Sequence, residues 1–192
     1  MRDSFPMVRA IFGGIFGGCA LFLTGFIFWG TPLAGIAYSR TDGQPAANLQ
    51  AALAQALTPT GTGVYIVPSP ATSEGTVLYG KGPIAQVFFN THGFPVADNG
   101  SLIGGFILAL VVGVLIALAL RLMANDFPAR VKLTLLFALA AVLWTHLGQP
   151  IFNHAPWRYF IYLAFSDFVG LAVAGLIAAR WFMAKGEVAP PS

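Results

Sequence analysis

The chain has 192 residues, 57% hydrophobic and only 9% charged, with a mean hydropathy of +0.75. A soluble domain is about a quarter charged, so these residues cannot cover a water-facing surface, and most of the surface must face lipid. The net charge of +3 does not point to nucleic acid, because the ten Lys and Arg residues are scattered at the ends of apolar runs and form no patch.

The first apolar run extends from Ala10 to Ala37, with no charge until Arg40. It is long enough to span the hydrocarbon core and too long for the apolar region of a signal peptide, so it reads as an uncleaved span. Composition changes between Tyr38 and Asn99, where Gly, Pro, Thr, Ser, Asn and Gln accumulate. Within this stretch, Pro45 to Leu57 reads as an amphipathic helix with Leu49, Leu53, Ala56 and Leu57 at helical spacing. Pro59, Gly61 and Gly63 stop it. Val64–Val67 reads as a strand closed by Pro68 and Pro70. Ile84–Phe89 reads as a second strand after a Gly80-Lys81-Gly82-Pro83 turn. One helix and two strands make a small core, so this segment is expected to lean on other parts of the protein or on a partner.

Three further spans follow, at Leu102–Leu122, Val131–Leu147 and Trp157–Met183. The link Met123–Ala129 is short, with Asp126 placed to cap the third helix and Pro128 in its first turn. The link Gly148–Pro156 is also short, so these helices are expected to be antiparallel neighbours. The predicted fold is an all-α membrane protein with four transmembrane helices and a small α+β insertion between the first two. Its parts are residues 1–37, 38–99 and 100–192.

Lys and Arg set the orientation. Arg2, Arg9, Arg121, Arg130, Lys132, Arg180 and Lys185 fall on one side, and Arg40, Lys81 and Arg158 on the other. Both termini are then expected in the cytoplasm and residues 38–99 outside it. Trp29, Trp144, Trp157, Tyr159 and Tyr162 gather at the outer boundary and Trp181 at the inner one, as in aromatic belts.

Asp167 is the sharpest candidate for chemistry. It falls about ten residues into the fourth helix beside Ser166, where an ionisable group costs at least a few kcal/mol and must be stabilised. It reads either as a proton- or ion-carrying carboxylate or as a hydrogen-bonded fastener between helices. No Lys, Arg or His is expected at its depth in the other spans, and Thr24, Ser166 and Thr134 are the remaining polar groups for a relay.

A second group, His146, Gln149, Asn153, His154 and Arg158, gathers at the outer end of the third and fourth helices, with His92 in the outer segment. Imidazoles are metal ligands, but this spacing matches no metal signature, and a polar cap at the bilayer surface is the plainer reading. No metal site is assigned. The single cysteine, Cys19, excludes an internal disulfide, a CxxC pair and covalent haem, and leaves no ligand set for an iron–sulfur cluster. Contact with lipid or pigment is compatible with the apolar surface. Gly13, Gly14, Gly17 and Gly18 form overlapping GxxxG pairs, Gly100 and Gly104 form another, and Gly170 opens a small-residue stripe on the fourth helix. Such stripes let helices pack closely, within the chain or against another subunit.

The run Gly63-Val64-Tyr65-Ile66-Val67-Pro68-Ser69-Pro70, followed by Gly82-Pro83-Ile84-Ala85, resembles a family of uncharacterised bacterial four-helix inner-membrane proteins. That family shows the pattern G-x-Y-x-x-P-x-P and then G-P-x-A in an outer segment. His146-Leu147 and Asp167 with Gly170 also resemble it. The family has no assigned activity, so the resemblance implies a topology and no function. By helical rise, His146 and Asp167 should differ in depth by about 12–15 Å, so no direct contact is expected.

The leading expectation is an accessory, non-catalytic subunit of a larger bacterial membrane complex, respiratory or photosynthetic, with other membrane subunits as partners. The alternative is a small homo-oligomeric transporter or channel using Asp167. An enzyme acting on lipid or quinone through His146 and His154 ranks third, because no nucleophile or metal set accompanies them.

Overall fold

The structure, a computed structural model, describes residues 4–123 and 126–182, with side chains from residue 7 onward. Arg2, Ala124, Asn125, Met183 and Lys185 lie outside the described residues. Four helical stretches are long and apolar enough to cross a membrane: Met7–Trp29, Asn99–Met123, Phe127–Asn153 and Trp157–Phe182. They fit a multi-pass membrane protein.

Helix α1 (Ser4–Trp29) ends well before the expected Ala37. The cause is Pro32. A residue before proline is pushed to extended backbone, and Thr31 obliges with φ −118° and ψ 172°. Its hydroxyl accepts from the Leu33 N–H at 3.3 Å and donates to the Ile27 carbonyl at 2.6 Å. Pro32–Ile36 then forms a short 3-10 helix.

Helix α4 (Asn99–Met123) returns across the bundle, and α5 (Phe127–Val142) starts at the cap read from sequence. Asp126 Oδ1 accepts from the Ala129 N–H at 2.7 Å. The third span does not stop at Leu147 as expected. It passes through a wide π turn at Leu143–Leu147 and continues as α6 (Gly148–Asn153). Pro150 explains the turn. It brings no N–H and crowds the carbonyl four residues back, that of His146, so the helix widens there instead of ending. The expected loop 148–156 shrinks to His154–Pro156, where His154 takes a left-handed φ of 53°. Helix α7 (Trp157–Ile177) follows and ends in a second wide turn, Ala178–Phe182.

Helix α1 packs between α4 and α7, and α5 packs mainly on α7. Gly14 and Gly18 meet α4, where a Cβ on Gly18 would lie 2.6 Å from the Ala109 carbonyl oxygen. Gly13 and Gly17 meet the α7 end, where a Cβ on Gly17 would lie 2.7 Å from the Ala174 carbonyl oxygen. Gly170 makes room for Leu21. Within the chain Gly104 makes no close approach, since a Cβ there would meet nothing within 4 Å, and packing of this glycine against another subunit is left as an expectation. Helix α4 faces α1 through Gly113. Nine residues of helix turn Gly104 about 180° away from that face.

Residues Ser39–Asp98 form a separate compact unit. It holds α2 (Gln44–Leu57), strand β1 (Gly63–Val67), α3 (Ser73–Lys81) and strand β2 (Ala85–Phe89). The strands pair antiparallel, with Gly63 opposite Phe89 and Val67 opposite Ala85. Helix α3 corrects the sequence reading, which took Gly80-Lys81 as part of a turn. Its N-cap is Thr72, whose Oγ1 accepts from the Gly75 N–H at 3.0 Å, and Glu74 and Lys81 suit its two ends. Gly75 is the only buried residue in this unit.

The close approach of α1 to α4 gives a direct test. Gly18→Val should cost about 1–3 kcal/mol of folding stability, the usual penalty of overpacking. Gly104→Ala should leave stability unchanged or slightly higher. Detergent-titrated unfolding followed by circular dichroism measures both.

Candidate functional site

Asp167 sits ten residues into α7, about 15 Å from its start at 1.5 Å per residue. His146 sits seven residues before the end of α6, about 10 Å from the same end of the bundle. The two side chains meet. His146 Nε2 lies 2.8 Å from Asp167 Oδ2. This overturns the expected separation and the expectation that no His shares Asp167's depth. The error lay in ending the third span at Leu147. With the helix running on to Asn153, His146 lies nearly two turns inside it.

The hydrogen bond gives each of the two ionisable groups a partner away from the helix ends, which offsets part of the cost of burying it there. The side chain of His146 is 18% exposed and that of Asp167 is 44% exposed.

Ser166 ties the pair to α1. Its buried hydroxyl accepts from Trp29 Nε1–H at 3.2 Å and donates to the Leu163 carbonyl at 2.9 Å. Asp167 Oδ1 lies 3.5 Å from the same hydroxyl, a poorer acceptor for its single proton. Tyr162 O–H donates to the Phe28 carbonyl at 2.8 Å, satisfying a group left open in the last turn of α1. The rings of Trp29, Tyr38, Tyr159 and Tyr162 pack against one another, Trp29 and Tyr162 with centroids 5.2 Å apart. These aromatics lock the end of α1 onto α7.

The polar group expected at the outer end divides. His146 turns to Asp167. Asn153 Nδ2 donates to Gln149 Oε1 at 2.8 Å, while His154 and Arg158 are exposed. His92 belongs to the Ser39–Asp98 unit, where its Nδ1 lies 3.2 Å from Thr91 Oγ1. Among the described residues, no three His, Cys, Asp or Glu side chains converge as a metal site would require.

Arg130, Thr134, Ala138, Val142 and His146 recur every four residues along one stripe of the third span, and the first four are buried. Thr134 Oγ1 has no hydrogen-bond partner among the described residues, and Thr24 donates to the Ala20 carbonyl at 2.7 Å. Twelve residues separate Thr134 from His146, about 18 Å, with only Ala138 and Val142 between them on this stripe. Along this stripe, among the described residues, the polar groups at Thr134 and His146 are thus separated and form no continuous relay.

Sequence reasoning missed the Trp29–Ser166 bond. No local signal carries it, because it joins residues 137 positions apart. It also missed the extension beyond Leu147, although Gln149 and Asn153 stand at the i,i+4 spacing of a helix. No family model, curated protein or solved structure matches the chain.

A double-mutant cycle on His146→Leu and Asp167→Leu should give a coupling of about 1–2 kcal/mol, within the range of interhelical hydrogen bonds in membranes. Asp167→Asn, which keeps an acceptor for an Nε2–H, should lose less than Asp167→Leu. Unfolding of each purified variant in detergent measures the four corners of the cycle.

Proposed function

We propose that this chain is an accessory, non-catalytic integral-membrane subunit of a larger bacterial inner-membrane assembly. The observation that carries this reading is the exposure of Asp167, with 44% of its side chain open midway along a membrane-length helix. Lipid offers a carboxyl group no hydrogen bonds, and leaving it open there costs several kcal/mol. Leu171, one turn further on, lines a cavity between α4 and α5. Asp167 therefore stands on the stripe of α7 that faces the gap between those helices. A neighbouring subunit over this face would exclude lipid and bring a donor to Oδ1.

The Ser39–Asp98 unit supports the same reading. It buries only Gly75, and Phe88 and Phe94 are 78% and 67% exposed. A segment with so little core gains by leaning on a partner. The four glycines of α1 no longer count in favour, because α4 and α7 already occupy them. Five described cations, Arg9, Arg121, Arg130, Lys132 and Arg180, fall near one end of the four spans, which favours that end as cytoplasmic and the 39–98 unit as periplasmic. The resemblance of the outer segment to bacterial inner-membrane proteins agrees with this topology. A respiratory or photosynthetic complex suits such a subunit.

The second reading is a homo-oligomeric transporter or channel. The His146–Asp167 hydrogen bond favours it, since such a pair can take up and release a proton. The apolar break at Ala138 and Val142 means that a through path would need water or a second copy.

Mild-detergent purification from native membranes should recover other membrane proteins with the wild-type chain and lose them with Asp167→Leu. Recovery of a monomer or homo-oligomer alone would overturn the subunit reading. Proton flux into liposomes holding only this protein, abolished by Asp167→Asn, would establish the second.

A further inference from the structure

The Ser39–Asp98 unit is poor in charge as well as in core. Its Asp, Glu, Lys and Arg residues are Arg40, Asp42, Glu74, Lys81 and Asp98, and none falls on either strand or between Gly82 and Ala97. A surface bathed in water on every side carries charge more evenly.

One face of the hairpin is apolar and open. Side chains alternate along a strand, and residues directly opposite in an antiparallel pair share a face. Val64 stands opposite Phe88 and Ile66 opposite Gln86, so these four share one face. Val64, Ile66 and Phe88 are all exposed there, while the Tyr65 and Phe89 rings meet on the other face. Beyond the hairpin, Phe94 and Val96 are apolar and exposed as well.

The chain limits how far from the bilayer these residues can lie. Helix α4 starts at Asn99, directly after the unit, and its exposed Leu102 and Ile103 begin a lipid-facing surface. Asn99 precedes Leu102 by about 4.5 Å of helix, which places it within a headgroup layer about 5–7 Å thick on each side of the hydrocarbon. At 3.4 Å per residue, Val96 is at most about 10 Å from Asn99 and Phe94 at most about 17 Å. The other end is held as tightly. Tyr38, the residue before the unit, packs against Trp29 and Tyr159. Neither end has a linker, so phospholipid headgroups are the surface within reach of Phe94 and Val96. An uncharged apolar face that presents Phe is the kind that sinks into the boundary between headgroups and acyl chains.

We propose that the 39–98 unit rests on the bilayer, with Phe94, Val96 and the hairpin face of Val64, Ile66 and Phe88 sunk into the headgroup layer. Apolar burial drives the contact, so a zwitterionic phospholipid suffices. Lipid then supplies the cover that this small core lacks, while Asp167 still calls for a protein neighbour, and the two proposals fail separately.

The test places the full chain alone in phosphatidylcholine vesicles, with Cys19→Ala as background. Phe88→Cys, Phe94→Cys, Val96→Cys and, as the water-facing reference, exposed Glu74→Cys each take a nitroxide label. Power-saturation electron paramagnetic resonance with oxygen and with a water-soluble nickel chelate reads the depth of each label. The labels at 88, 94 and 96 should lie about 5–10 Å into the headgroup and acyl boundary, open to oxygen and shielded from nickel. Circular dichroism confirms that each variant is folded. Nickel access at any of the three equal to that of Glu74→Cys would overturn the proposal. So would labels closed to oxygen and nickel alike in the vesicles, which means cover by a second copy. Labels shielded in native membranes but open to nickel in the vesicles would overturn it too, because another protein then covers the face.

Discussion

Helix α1 carries two small-residue stripes that are offset by one residue and therefore by about 100° around its axis. Gly14 and Gly18 admit α4, and Gly13 and Gly17 admit α7. Each stripe brings a neighbouring backbone within van der Waals reach, and in a lipid setting that packing holds helices together where no hydrophobic drive exists. The buried hydrophobic residues follow suit, since all but Leu120, Val142 and Tyr162 are alanines. Large side chains are left to face outward. Leu108, Leu115 and Leu136 are each about 60% exposed or more.

This arrangement leaves α5 on the margin, packed mainly against α7. Its small residues do part of the work, as where Gly175 of α7 makes room for Thr134. The His146–Asp167 hydrogen bond fastens the other half of the span. The wide turn that Pro150 imposes falls at the same place. Helix α1 reaches the pair through Trp29 and Ser166, so three of the four spans converge within one small polar site.

Between α4 and α5 the same arrangement leaves a gap with two different ends. Toward the His154–Pro156 link stands a half-exposed carboxyl, which calls for a hydrogen-bond donor that lipid cannot supply. Toward the start of α5 stands a slot walled by hydrocarbon and the Thr134 hydroxyl.

Much of the fold was legible because hydropathy and capping are local. Spans of twenty or more apolar residues, Asp126 as an N-cap, and the Val64–Val67 and Ile84–Phe89 strands all follow from near neighbours. The departures came where two local signals compete. Pro32 ended a helix whose hydropathy ran on to Ala37, whereas Pro150 only widened one. A proline removes one donor in either case, and whether the helix continues depends on what the next turn can pack against. Helix α3 was overlooked because its glycines outweighed its Thr72 cap. By itself, then, the sequence determined how many helices can cross a membrane and where charge gathers along them, since both are sums over consecutive residues. Only the tertiary structure decided that His146 meets Asp167, that Gly104 makes no close approach within the chain, and that a cavity opens beside Thr134. Those depend on the rotation and register of one helix against another, which no single helix encodes.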